Sequence, residues 1–186
     1  MPRPKDVDSV EGRIRHEHKA GRILDAALVV FASKGFHDAK ISEIARMAGV
    51  ADGTIYLYFK NKDALLASLF ETKLRSINEG LSRELQGMGD AKERLRHVIR
   101  YHLRLALEQP QLVSFVTGQL RHSSKPLQPS AQEQLAGYLS QWAKVIDDGK
   151  HEGAFRADVS TGAVQQILFG ALDHACLAWV VHPGQT

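Results

Sequence analysis

The chain has 186 residues, 44% hydrophobic and 24% charged, which is the balance of a soluble globular protein: one ordinary domain, or a small head on a larger body. Cys176 is the single cysteine, which excludes an intramolecular disulfide and a thiolate zinc cluster and is compatible with a reducing cytosol. Net charge is only +3, but residues 1–62 hold 11 Lys/Arg against 8 Asp/Glu while residues 63–186 hold 13 of each. The whole surplus therefore sits in the first third, as phosphate binding favours; a solvated basic surface is the other reading.

Residues 1–14, with Pro2, Pro4 and three basic side chains, read as a loose arm that is either disordered or laid along a phosphate backbone. They lack the apolar run of a secretory signal. A first helix is expected from near Arg15 to Lys34, with Ile23, Leu24, Ala27, Leu28 and Phe31 as its apolar stripe. Gly35 is its C-cap and Phe36 the hydrophobic contact after the cap. His16 and His18 stand two apart, so they do not share a helix face, and no metal site is expected.

The stretch Ile41 to Lys62 is the most informative. Ile41, Ile44, Ala45 and Ala48 recur at helical spacing, Gly49 sits where a C-cap needs positive φ, and Val50 plugs the turn. Asp52 then places a carboxylate in the first turn of a second short helix carrying Thr54, Tyr56 and Tyr58, with Ile55 and Phe59 as inward anchors. Two helices joined by a short glycine-containing turn make a helix-turn-helix, whose second helix enters a DNA major groove.

Asn61 is the expected N-cap of a fourth helix bearing Leu66, Phe70, Leu74, Ile77 and Leu81 and reaching toward Gly87. At roughly 25 residues it would measure nearly 40 Å, a rod able to carry movement from one part of the chain to another. Asp90 and Glu93 form a capping-box-like start to a fifth helix with Leu95, Val98, Ile99, His102, Leu103 and Ala106 on one face. Pro110 opens a sixth, with Leu112, Val113, Phe115, Val116 and Leu120, and Arg121 to Pro129 reads as a polar loop. A seventh carries Leu135, Tyr138, Leu139, Trp142, Val145 and Ile146 and ends near Gly149 to Gly153.

Ser160 or Thr161 caps the last helix. Val164, Ile167, Leu168, Ala171, Leu172 and Ala175 make one apolar side, Phe169, Cys176 and Val180 another. Such a helix is expected to be buried on two sides, one against its own domain and one against a second subunit. Gln165, Gln166, Asp173 and His174 interrupt its apolar run, which argues for a buried helix rather than a membrane span. With no strand pattern anywhere, the fold class is all-α, with a head over residues 1–62 and a helical body over 63–186. No HExxH, G-x-S-x-G, P-loop or dinucleotide-binding turn is present, and Cys176 on a buried helix is a poor nucleophile, so an enzyme is a distant alternative.

Gly49-Val50, Gly53-Thr54-Ile55-Tyr56-Leu57-Tyr58-Phe59, Lys62 and Leu65 together resemble the DNA-binding head of the TetR family of one-component repressors, over roughly residues 20–70. The resemblance implies that Thr54, Tyr56 and Tyr58 contact phosphates and base edges and that Lys62 binds a phosphate. Lys40, Ser42, Ala51, Asp52 and Gly53 complete the implied DNA-contacting set. Hydroxyls and an ammonium independently suit phosphate oxygens, and a tyrosine ring suits a thymine methyl; core packing is the other reading for Tyr56 and Tyr58. Ala51 replaces the Ser often found at that cap, which weakens N-capping.

Gln119-Leu120-Arg121-His122-Ser123 and Ile167 to Asp173 with Trp179 are similar to TetR-type fatty-acid-degradation regulators, which release DNA on binding long-chain acyl-CoA. That resemblance implies a dimer on double-stranded DNA, a small hydrophobic effector, no cofactor, no membrane partner and a cytoplasmic location. Long-chain acyl-CoA needs an apolar tunnel with cations near its mouth. Arg104, Arg121 and Lys125 are the cations in question, each otherwise a solvated surface charge. His102 and Asp173 are pocket residues or hydrogen-bonded core, and Phe115, Tyr138 and Trp142 complete the expected ligand set. The alternative is a repressor of an efflux or other metabolic gene with a different small hydrophobic inducer. The family ends in one further helix, whereas this sequence stops at Thr186, so the expectation is either a shortened form or a dimer held mainly by the eighth helix.

Overall fold

A computed structural model describes residues 5–122 and 128–181, with side chains from Gly12 onward except those of 119–122. The described residues form eight helices and no strand: α1 (Lys5–Asp38), α2 (Ile41–Ala48), α3 (Asp52–Tyr58), α4 (Lys62–Leu85), α5 (Ala91–Glu108), α6 (Pro110–His122), α7 (Pro129–His151) and α8 (Thr161–Val181). The chain separates into two compact units, Met1–Leu69 and Phe70–Thr186, so the division falls inside α4 rather than at its start.

In the first unit, α1 begins at Lys5, about ten residues before the sequence pattern suggested, and most of the expected loose arm is helical. No proline follows Pro4 until Pro110, so nothing in the stretch after it interrupts a helix. The helix breaks at Gly35 (φ 76°, ψ 167°), after which the Phe36 ring folds back to 5.7 Å from Phe31. Ile23, Ala27, Val30 and Phe31 of α1 are buried, as are Ile44, Ala45 and Ala48 of α2 and Ile55, Phe59, Leu65 and Leu69 beyond it.

The α2–α3 turn is fixed by its backbone. Gly49 sits at φ 65°, ψ 42°, and its N–H donates to Arg46 O at 3.2 Å while Val50 N–H reaches back to Ala45 O at 3.0 Å. This paired closure consumes two of the carbonyls a helix C-terminus leaves over. Arg22 of α1 donates to a third, Ala48 O, and a methyl group on Gly49 would stand 2.8 Å from its guanidinium. Asn61 Oδ1 accepts from Ala64 N–H at 2.8 Å, capping α4 as its side-chain type predicts.

In the second unit, Leu81, Val98, Tyr101, Leu105, Tyr138, Trp142 and Val145 form one core cluster contributed by α4, α5 and α7, with Leu168, Phe169 and Leu172 of α8 packed against it. The inward face of α5 is therefore Val98, Tyr101, His102, Leu105 and Ala106; Leu103, expected inside, is 38% exposed. Close approach of α4 and α5 depends on Gly80, where a methyl would overlap the Tyr101 hydroxyl; that hydroxyl donates to Ile77 O at 2.9 Å. Asp90 caps α5 by accepting from Lys92 N–H at 2.7 Å, but Glu93 turns out to Arg96, so the reciprocal half of the expected box is not made. Arg94 instead ties the preceding loop to the end of α7, donating to Gly89 O at 2.6 Å and to Glu152 at 2.8 Å.

The last helix has one of its two apolar sides covered within the chain. Of its residues only Cys176 is buried, while Ile167 is 69% and Val181 56% exposed. One side of α8 packs on α5, α6 and α7, and the other is open in the single chain. Among the described residues it is the one helix long and apolar enough to cross a membrane by length and composition, with a mean hydropathy of 1.3.

Candidate functional site

Two sets of side chains stand out, one in each unit. In the first, α3 presents Asp52, Gly53 and Tyr56 to solvent, with Thr54 and Tyr58 half-buried along the same short helix. Tyr56 is 55% exposed and neighbouring Leu57 79%, so core packing does not account for Tyr56. Lys40 and Ser42 are exposed at the N-terminal turn of α2. Ala51 occupies the N-cap of α3 with no side-chain cap bond, and Thr54 N–H closes the first turn on Ala51 O at 2.8 Å.

Lys62 is less free than its place at the start of α4 suggested. Its ammonium donates to His37 O at 3.0 Å and lies 4.7 Å from the centroid of the Phe36 ring, which pins the end of α1 to the start of α4. Tyr58 is held as well: the ring of His16 lies 4.3 Å from it, tilted by 30°, and Phe59 lies at 6.4 Å. Neither the His16 contact nor the Arg22 cap carries a motif signal. Between α1 and α2, Lys34 pairs with Glu43 at 2.6 Å and holds that carboxyl below the ordinary glutamate range.

In the second unit a pocket open at one side is walled by Leu74 and Ile77 of α4, His102 and Leu105 of α5, Leu112, Val113, Val116 and Thr117 of α6, Leu135 and Tyr138 of α7, and Phe169 and Asp173 of α8. The wall is apolar apart from four side chains, and these are paired with one another. His102 Nδ1 shares a hydrogen bond with the Tyr138 hydroxyl at 3.1 Å, and Thr117 Oγ1 donates to Asp173 Oδ1 at 3.1 Å. Burial pushes the His102 imidazole below its ordinary pKa, partly offset by the Asp173 carboxylate, so it is neutral near pH 7. Burial likewise raises the Tyr138 phenol, and it lifts the Cys176 thiol to about 11, which leaves that sulfur protonated.

Of the expected ligand set, the fold gathers His102, Tyr138 and Asp173 into one wall and leaves Trp142, Phe115 and Arg104 outside it. Trp142 is fully buried behind that wall, its ring 5.5 Å from His102 and 6.0 Å from Phe169. Phe115 packs on Phe70 at 4.8 Å instead of lining the cavity. Arg104 is bound to both carboxylate oxygens of Glu84, at 2.6 and 2.7 Å, and lies over the Tyr101 ring. The Arg121 side chain and Lys125 lie outside the described residues. Thr117, missed in the sequence, sits four residues after Val113 on the same helical face, a small polar residue on an otherwise apolar wall.

Residues 23–69 match the family profile described as "Bacterial regulatory proteins, tetR family", and residues 70–185 match "YsiA-like protein, C-terminal region". The chain belongs to the TetR family. It is 36% identical over 161 residues to the fatty acid metabolism regulator protein of Bacillus subtilis, covering 87% of this chain and 83% of that protein. The crystal structure of FadR from Bacillus subtilis in complex with stearoyl-CoA superposes with a TM-score of 0.81 at 35% identity, covering 89% of each chain. The fatty acid degradation regulator FadR from Bacillus halodurans gives 0.79, at the same identity and coverage. TetR family members and these relatives are transcriptional regulators rather than enzymes, and this chain is a DNA-binding regulator of that kind.

Proposed function

We propose that this TetR family protein is a cytoplasmic repressor that binds a palindromic operator as a homodimer and leaves it when a long-chain acyl-CoA enters the body. The observation that carries the reading is a pocket between α4, α5, α6, α7 and α8 whose wall is apolar in all but four residues, in a body that resembles the relative solved with stearoyl-CoA. Each methylene buried there contributes about 0.8 kcal/mol, close to fourfold in affinity, so a fatty chain gains enough to be selected by its length.

Leu74 and Ile77 belong to the cavity wall and also to α4, whose first turn carries Lys62. An occupant displacing them acts on the same continuous helix that leaves the DNA-binding head. Two half-sites must be met at a fixed spacing, so a small shift in the recognition helices loses operator affinity. The open face of α8, with Ile167 and Val181 exposed, supports the dimer.

Thr54, Tyr56 and Tyr58, with Lys40, Ser42, Ala51, Asp52, Gly53 and Lys62 around them, are the proposed DNA contacts. His102, Tyr138 and Asp173 are the proposed polar contacts to the effector. The four polar side chains in the wall also favour a second reading, a repressor of the same fold induced by a smaller hydrophobic ligand with its own hydrogen-bonding group. The deciding experiment is a gel shift on an operator selected from random duplexes, titrated with stearoyl-CoA, shorter acyl-CoAs and free CoA. Release by stearoyl-CoA with affinity rising along the chain series is expected. Unchanged DNA binding at saturating stearoyl-CoA would sink the acyl-CoA reading and leave the second one.

A further inference from the structure

We propose that the polar part of the pocket wall is a hydroxyl-recognition site, with His102 and Tyr138 as its donor side and Asp173 as its acceptor side, and that the preferred effector is an acyl-CoA whose chain carries a hydroxyl group. The proposal rests on the reading of the pocket as an acyl-CoA site and names the feature of the chain that this site selects.

The two sides come together through α8. Phe169, Asp173 and Cys176 follow one another at spacings of four and three residues, so they share one face of that helix. The Phe169 ring lies 5.4 Å from the His102 ring, and Cys176 Sγ approaches His102 O at 3.9 Å as a weak donor. Asp173 is thus flanked along the helix by two residues that touch His102. Its carboxylate acts on the imidazole, opposing the fall that burial imposes on the pKa. His102, Tyr138 and Asp173 all line the same pocket.

The bonds these groups already make leave capacity of both kinds. A neutral imidazole has one N–H and one lone pair, and a phenol has one O–H. His102 Nδ1 and the Tyr138 hydroxyl share a single hydrogen bond at 3.1 Å. If the phenol donates, the imidazole Nε2–H is left over; if the imidazole donates, the phenol O–H is. Either way one donor of the pair has no acceptor among the described residues. On the other side Asp173 Oδ1 accepts from Thr117 Oγ1 at 3.1 Å, and a carboxylate offers about four lone-pair positions. A saturated chain lays methylenes against these groups while it shuts out water, and gives neither side a partner. A hydroxyl accepts from the spare N–H or O–H and donates to the carboxylate through one oxygen. A carbonyl, which only accepts, serves the first side alone.

The test uses the full chain and a duplex selected by it from a random library, with release from DNA followed by fluorescence anisotropy. The effectors are stearoyl-CoA and hydroxystearoyl-CoA isomers that carry the hydroxyl at successive positions along the chain. One isomer is expected to release DNA at a concentration about tenfold below that of stearoyl-CoA, the gain of two net hydrogen bonds. Isomers that set the hydroxyl against the aliphatic wall should act more weakly than stearoyl-CoA, because a buried hydroxyl without a partner is unfavourable. Asp173→Leu, with its folding checked by a thermal melt, should bring the preferred isomer to within about threefold of stearoyl-CoA, since one of the two bonds is gone. If stearoyl-CoA releases DNA and no isomer does so at a lower concentration, the hydroxyl site is overturned and the acyl-CoA reading stands. If the preference for one isomer survives Asp173→Leu undiminished, this wall does not read the hydroxyl and the proposal falls. If neither stearoyl-CoA nor any isomer releases DNA, the acyl-CoA reading falls and takes the proposal with it.

Discussion

The head and the body place their polar groups in opposite ways. In the head, Tyr56, Asp52, Lys40 and Ser42 point to water, and the buried residues beneath them are almost entirely aliphatic or aromatic. In the body, His102 and Thr117 are buried, and they meet Tyr138 and Asp173 across helices in the wall of an otherwise apolar cavity. The difference follows from the partner each unit suits. A polyanion is met with outward hydroxyls, amides and cations on a rigid base, whereas an apolar ligand needs a dry space whose few polar atoms are satisfied until it arrives. Substitutions should therefore separate into two kinds, those in the body changing stability and effector response, and those on the head surface changing DNA binding alone.

The largest effect should come from Trp142→Ala. Removing a fully buried indole from the centre of the body costs about 3–5 kcal/mol, read as a lower midpoint in urea by circular dichroism. A change well under 1 kcal/mol would show that the aromatic group behind the cavity is not part of the core. Gly49→Ala comes next. Its φ of 65° opposes a side chain by about 1–2 kcal/mol, and the new methyl crowds the Arg22 guanidinium, so operator affinity should drop more than this stability loss alone implies. Thr117→Val keeps the shape and deletes the donor to Asp173, which should cost about 1 kcal/mol of stability and alter the concentration of effector that releases DNA.

A pH titration sharpens the same contrast. The folded-state pKa of His102 lies below its ordinary value of 6.5, so the unfolded chain takes up this proton first. His102 should therefore lower stability as pH falls below about 6.5, and its contribution is lost in full once pH is below the depressed folded value. His102→Gln should make stability less dependent on pH in that window; an unchanged dependence would mean that His102 does not carry it. The smallest stability effect belongs to Tyr56→Phe, within about 0.5 kcal/mol for an exposed hydroxyl, with operator affinity nonetheless reduced. Equal loss in stability and binding would erase the distinction between the two units.

How far each region could be read ahead of the structure follows from the range of the interactions that build it. The α2–α3 turn was legible because its determinants are adjacent: Gly49 supplies the positive φ, Ala45 and Arg46 the carbonyls, and Val50 the returning N–H. Asn61 and Asp90 announced their helices for the same reason, each capping an amide two or three residues on. The start of α1 was misplaced because its prolines suggested an arm, whereas the helix starts immediately after the second of them. Nothing near Arg104 in the sequence points to its ion pair, because Glu84, its partner at 2.6 Å, is twenty positions away and on another helix.

The residues alone decided the all-α class, the order of the helices, the helix-turn-helix and its outward Tyr56, since each depends on periodicity, caps or a turn within a few residues. Only the tertiary structure decided that His102, Thr117, Tyr138 and Asp173 share one wall, that Trp142 and Phe115 stand outside it, and that the rings of His16 and Tyr58 meet. Those contacts join residues tens of positions apart, and helical period fixes which way a side chain faces without fixing which helix it will meet. The two sides of α8 show the limit most plainly: its apolar pattern marks both, and only the fold shows which of them the chain itself covers, leaving Ile167 and Val181 exposed on the other.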